Sequence, residues 1–216
     1  MKVLGTVNLI TQLNSFASLP RNISFVSQAS FPFPGGMAQV SDNNHKEKNE
    51  ENNNSKGSKL RYSDSIMPHL LNLYGERPRA GDFEIYADNA TFEDPLMCAH
   101  GVKQIKSAFY TMPKIFSESG IVEYNIKEEI ISPGKHEILI DNKQHYKFWG
   151  RNIDMISLIV LLVEDGKVVR HEDRWDKKPL RNRENLPVLG RILEMSRRGS
   201  MLATHVLMGF GKDPFS

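Results

Sequence analysis

After Gly120 the spacing of apolar residues changes from a helical period of about 3.6 to a strand period of about 2, and no other feature constrains the chain as much. Downstream, Val122, Tyr124 and Ile126 alternate with Glu123, Asn125 and Lys127. Ile138 to Ile140 and Gln144 to Trp149 form another ribbon, and Met155 to Val163, apolar on both faces, reads as a central strand. Asp165-Gly166 is a two-residue hairpin signal that returns the chain as Lys167 to Asp176. Upstream, Ser65 is placed to cap a helix with Pro68 in its first turn; Ile66, Leu70, Leu73 and Tyr74 form its buried stripe, and Gly75 ends it. Pro78 opens a shorter helix bearing Phe83 and Tyr86 on one side, and Ala90 to Glu93 is extended up to the Asp94-Pro95 turn. Val102, Ile105, Phe109 and Met112 mark a third helix after Gly101, limited by Pro113. Helices first and strands after predict an α+β fold: a cone-shaped roll, with helices packed in the concave face of a curved antiparallel sheet. Such a cone makes a pocket.

The flanks of this unit differ from it in composition. Residues 1–41 hold no Asp or Glu, only Lys2 and Arg21 as bases, and a scatter of serines, the profile of a removable transit peptide. The expected destination is the chloroplast, with a plain disordered N-terminus, a mitochondrial or secretory leader, or a cytoplasmic protein as alternatives. Residues 42–61 are rich in Asn, Lys and Glu, and up to Lys59 they carry no large apolar side chain, so they are expected to be a disordered linker. The folded domain is then 62–180. Residues 181–216 form a basic amphipathic helix and tail, with Asn185 as its cap. That helix, over 186–208, is expected to close the mouth of the cone or lie along a homodimer seam. Contact with an acidic membrane surface is the alternative.

Charge and chemistry remove several classes. Lys and Arg total 28 against 26 Asp and Glu, a net +2, so the chain as a whole is not a nucleic-acid-binding surface. No apolar run approaches the ~18 residues of a membrane-spanning helix. Cys98 is the one cysteine, which excludes an intramolecular disulfide; with no base identified beside it, it reads as a buried thiol. The seven histidines are scattered singly, and no metal or cofactor is expected. On the last strand, alternation puts Val169, His171, Asp173 and Trp175 on one face, turned into the cone. His171 and Asp173 are therefore the candidate acid–base pair, against the alternative that they make structural hydrogen bonds. Tyr86, Phe92, Phe148 and Trp175 are the candidate walls of a pocket for a small apolar ligand. Asp94, ahead of Pro95, reads as a turn former, with a pocket carboxylate as the alternative.

Three segments together resemble a known superfamily: Asp82 to Leu96 (DFEIYADNATFEDPL), Gly101 to Tyr110 (GVKQIKSAFY) and Asp165 to Asp176 (DGKVVRHEDRWD). Their order and spacing are similar to those of the nuclear transport factor 2-like superfamily, and within it to the SnoaL-like proteins. The resemblance implies the α+β cone over about 115 residues. It implies no single reaction, because that superfamily includes isomerases, cyclases, epoxide hydrolases, dehydratases and members without catalysis. The hydroxyl donor with two pocket carboxyls of its steroid isomerase-like members, and the Asp-Arg-Asp set of its epoxide hydrolase-like members, do not align on this sequence. Three readings follow: a ligand-binding pocket, an isomerase, cyclase or hydratase-like enzyme using His171 and Asp173, and a module that binds a partner or membrane through its C-terminal helix.

Overall fold

A computed structural model describes residues 61–75, 77–180 and 187–215. The expected targeting segment and nearly all of the linker lie outside these residues. In chain order the elements are α1 (Tyr62–Tyr74), a short 3-10 helix (Ala80–Ile85), β1 (Tyr86–Glu93), β2 (Cys98–His100), α2 (Val102–Ile115), β3 (Glu118–Ser132), β4 (Lys135–Phe148), β5 (Arg151–Glu164), β6 (Lys167–Trp175) and α3 (Pro187–Leu207). The strands make one six-stranded sheet in the order β2-β1-β6-β5-β4-β3.

The class is α+β as expected, with one difference in the sheet. It is mixed: β1 pairs parallel with β6, while every other neighbour is antiparallel. That pairing slots the first strand beside the last and brings Phe92 level with His171. β5 is central in the order, and one of its faces is more deeply buried than the other, where Val160 is covered but the strand's first half is open. Ile159, Leu161 and Val163 are fully covered by the helices, whereas Ile156 on the other face is 46% exposed. The edge strand β3 departs further from its expected pattern. A bulge between Ile121 and Glu123 leaves Val122 out of register, and Val122 and Tyr124 are exposed. The hairpin at Asp165-Gly166 forms as expected, with positive φ at both residues, and Trp149-Gly150 makes a second turn of the same kind.

α1 begins three residues before the expected cap. The Glu128 carboxylate, reaching across from β3, accepts the backbone N–H groups of Tyr62 and Ser63 at 3.2 and 3.1 Å, so a tertiary contact does the capping. Ser65 bonds back to the Tyr62 carbonyl, and Pro68 falls inside the helix. Leu70, Leu73 and Tyr74 from α1 meet Ile105 and Phe109 from α2 over Ile138, Ile140, Ile159 and Leu161 of the sheet. α3 lies against α2 and β2, and none of its described side chains lines the cavity. Its inward stripe is Arg197, Met201, Thr204 and Met208, and Arg197 is buried rather than solvated.

Candidate functional site

The site is built where α1, the β1–β2 turn and β6 meet. On β6 a second irregularity skips Val169, so Val168, not Val169, shares the buried interior with His171 and Asp173. Both of these are buried, yet they do different things. Asp173 accepts hydrogen bonds from the Tyr74 hydroxyl at 2.9 Å, from Gln144 Nε2 at 3.2 Å and from the Ser157 hydroxyl. Burial pushes its carboxyl above the usual range, and these donors together with Trp175 oppose that shift.

His171 is held by two phenols: Tyr74 Oη lies 3.2 Å from Nε2 and Tyr86 Oη lies 2.8 Å from Nδ1. The single Tyr74 proton is already given to Asp173, so Nε2–H donates to the Tyr74 oxygen and Nδ1 accepts from Tyr86. The ring is the neutral Nε2–H tautomer, and burial lowers its pKa to about 3.

An apolar cavity of about 130 Å³ opens beside this network, walled by Phe92, Leu96, Phe109, Phe116, Met155 and Trp175, among others. Two carboxyls line it, Asp173 and Asp94, together with the rings of Tyr74 and Tyr146. Among the expected residues, the structure therefore brings Asp173, Phe92 and Trp175 to the cavity. His171 stands behind the wall. Tyr86 lines a separate, open groove with Lys106 and Lys167, and Phe148 packs at the β4–β5 turn between Trp149 and Phe116.

Asp94 takes both of the roles its place ahead of Pro95 allowed, the turn and the pocket carboxylate. It does form that turn: Oδ1 accepts the backbone N–H of Leu96 at 2.7 Å and of Met97 at 2.5 Å. It also faces the cavity. Burial drives its carboxyl up to about 7; the two backbone donors resist this, the nearby Asp173 adds to it, and Arg197 opposes it. Arg197 Nη1 holds the Asp94 carbonyl at 3.3 Å and the Glu93 carboxylate at 3.1 Å, which ties this turn to α3. The available signal was Asp94's position directly after the extended Ala90 to Glu93 segment and ahead of Pro95.

Cys98 is buried, its thiol pushed up to about 11, with His100 Nε2 at 3.4 Å. Among the described residues no group of three or more His, Cys, Asp or Glu is arranged to hold a metal ion, and no helix is long and apolar enough to cross a membrane.

Strand order and covering helices define the class: an α+β fold with helices packed against one face of a six-stranded mixed sheet. No protein-family model matches the sequence, and no curated protein matches it. Among solved structures the chain is similar to a type 2 hexachlorocyclohexane dehydrochlorinase, at 15% identity over 54% of this chain and 85% of that one, with a TM-score of 0.47. It is also similar to a phenazine biosynthesis-related protein of Pseudomonas aeruginosa (17% identity, 53% and 79% covered, TM-score 0.42). An NTF2-like protein of unknown function from Burkholderia pseudomallei is a third (18% identity, 54% and 92% covered, TM-score 0.39).

Proposed function

We propose that this chain binds a small, largely apolar molecule inside the cone and moves a proton on it, with Asp94 as the proton-transfer group. The observation that carries the reading is a pair of carboxyls, Asp94 and Asp173, on the wall of one otherwise apolar cavity. A carboxyl that ionises near 7 is half protonated at neutral pH and can both take and return a proton. Asp173 differs in its partners: three side chains donate to it, so it is the hydrogen-bonded member that orients a polar end of the ligand or stabilises charge. His171, neutral and held at both nitrogens, serves by orienting the Tyr74 hydroxyl toward Asp173.

The size of the cavity limits the ligand. About 130 Å³ lies below the ~300–1,000 Å³ of sites for drug-sized molecules, so the occupant is a single ring, or the end of a longer molecule that projects through the mouth. Isomerisation and elimination beside an activating carbonyl are the reactions that need only such proton transfers.

The test is exchange of the α-protons of a small cyclic ketone, such as cyclohexanone, in D₂O, followed by NMR. Wild-type protein is expected to accelerate exchange, and Asp94→Asn, which keeps the turn, to reduce the acceleration by about 10²–10⁴. Exchange that persists in Asp94→Asn removes Asp94 from the role. Ketone binding without exchange in the wild type reduces the reading to a ligand-binding pocket.

A further inference from the structure

The C-terminal helix carries two apolar faces, and only one is used by the domain. Opposite the buried stripe, Ile192, Met195, Leu202 and Val206 are 59%, 73%, 59% and 55% exposed, and Phe210, just past the helix end, is 62% exposed. Ile192, Met195, Gly199, Leu202 and Val206 follow one another at intervals of three, four, three and four residues, the spacing of a seam between two helices. No charged residue interrupts it. Gly199 stands at its centre with nothing within 4 Å of where a Cβ would be, so a second helix can approach closely there.

We propose that α3 is a homodimer seam, in which two copies of this chain pack their α3 helices in parallel about a two-fold axis. Area supports a second copy as the occupant. The five exposed side chains and Leu207, at ~100 Å² each, present roughly 600 Å² of apolar surface, at the upper end of the ~300–600 Å² patches of monomers. With its polar rim the patch approaches the ~800 Å² per partner of a stable interface.

The flanks choose the direction. Arg191 and Arg198 lie along one edge of the stripe, and Ser196 and Ala203 along the other. An antiparallel pair would set arginine edge against arginine edge; a parallel pair sets the arginines against serine and alanine. A membrane-surface helix would turn its arginines to lipid headgroups, whereas here Arg197 is turned inward to Glu93 and Arg198 is paired with Glu194 at 2.7 Å.

The experiment is sedimentation velocity on the full chain with Leu202→Glu and Leu202→Cys. The 24.6 kDa chain is expected to sediment as a dimer at micromolar concentration, and Leu202→Glu, a change at an exposed position, to raise the dissociation constant at least 100-fold with an unchanged circular dichroism spectrum. In a parallel pair Leu202 faces its own counterpart, so Leu202→Cys is expected to form an interchain disulfide under mild oxidation, Cys98 being buried. A monomer at about 100 µM, or a dimer indifferent to Leu202→Glu, overturns the proposal. So does a dimer lost in Leu202→Glu that Leu202→Cys does not cross-link, which refutes the parallel geometry. A wild-type monomer that floats with phosphatidylserine vesicles, and loses this in Leu202→Glu, replaces the second copy with a membrane surface.

Discussion

Replacing Asp94 with Asn should change the pH dependence of stability more than stability itself. In the unfolded chain an aspartate ionises near ~3.9; in the folded chain Asp94 does so at about 7. Between these values the folded state holds a proton that the unfolded state has released. Stability from this group is therefore complete below pH ~4, falls as pH rises, and is gone above about pH 7. At ~1.4 kcal/mol per unit the full window is worth about 4 kcal/mol, and because Asp94 is half-buried the expectation falls to about 2–3 kcal/mol. For a domain of this size that is roughly 5–10 °C in Tm. Glu128 and Asp82, whose carboxyls are held below their usual values, work in the opposite sense, losing stability as pH falls below ~4.5, and they cancel in a wild-type minus variant difference. Asn keeps an oxygen for the Leu96 and Met97 N–H groups, so the turn survives. The assay is thermal unfolding of both proteins from pH 4 to 8. Wild type should be the more stable at pH 4 relative to the variant and lose that advantage by pH 7; parallel curves would refute both the shifted carboxyl and the acid–base role built on it.

Four other substitutions test the cavity and its surroundings. Tyr74→Phe removes a donor from Asp173 and the acceptor of His171 Nε2–H; it should cost about 1–3 kcal/mol in urea unfolding and move the Asp173 carboxyl further up. Arg197→Met leaves Glu93 without its cation and the Asp94 carbonyl without its donor; a loss of about 2 kcal/mol is expected, with the midpoint of the pH-dependent transition shifted upward, since Arg197 holds the Asp94 pKa down. The two tryptophans should separate cleanly: Trp175→Ala, at the cavity wall, should cost about 3 kcal/mol, whereas Trp149→Ala, at an 84% exposed turn, should stay within about 1 kcal/mol, and equal losses would misplace the cavity wall.

The fold was legible where it depends on short-range spacing. The Gly120 change of period, the Asp165-Gly166 turn and the Val102 to Met112 stripe each stand where expected because the side chains that decide them are neighbours along the chain. The misreadings share a cause. Whether β1 lies beside β2 alone or also beside β6 is a matter of pairing across some 80 residues, and nothing local in Tyr86 to Glu93 encodes a parallel partner. The skipped Val122 and Val169 reverse the alternation around them, and strict alternation cannot register an extra residue. α1 was cut short because its cap, Glu128, is 65 residues away from Ser63.

The site shows why a suggestive pair in the sequence is a weak guide to chemistry. His171 and Asp173 are two apart on a strand, so they share a face, but sharing a face is not contact. Each instead finds its partner in a tyrosine delivered by another element, and Tyr74 from α1 is common to both. Once that phenol gives its proton to Asp173, His171 has only the neutral tautomer left, and burial holds it there. The place of Asp94 ahead of Pro95 favoured a turn over a pocket carboxylate, and the structure gives it both roles. The two roles are compatible because both backbone bonds fall on Oδ1, so Oδ2 carries neither of them. Two carboxyls at one cavity thus stand in unlike surroundings, Asp173 among side-chain donors and Asp94 with backbone donors on one oxygen, and the proposed division of roles between them rests on that asymmetry.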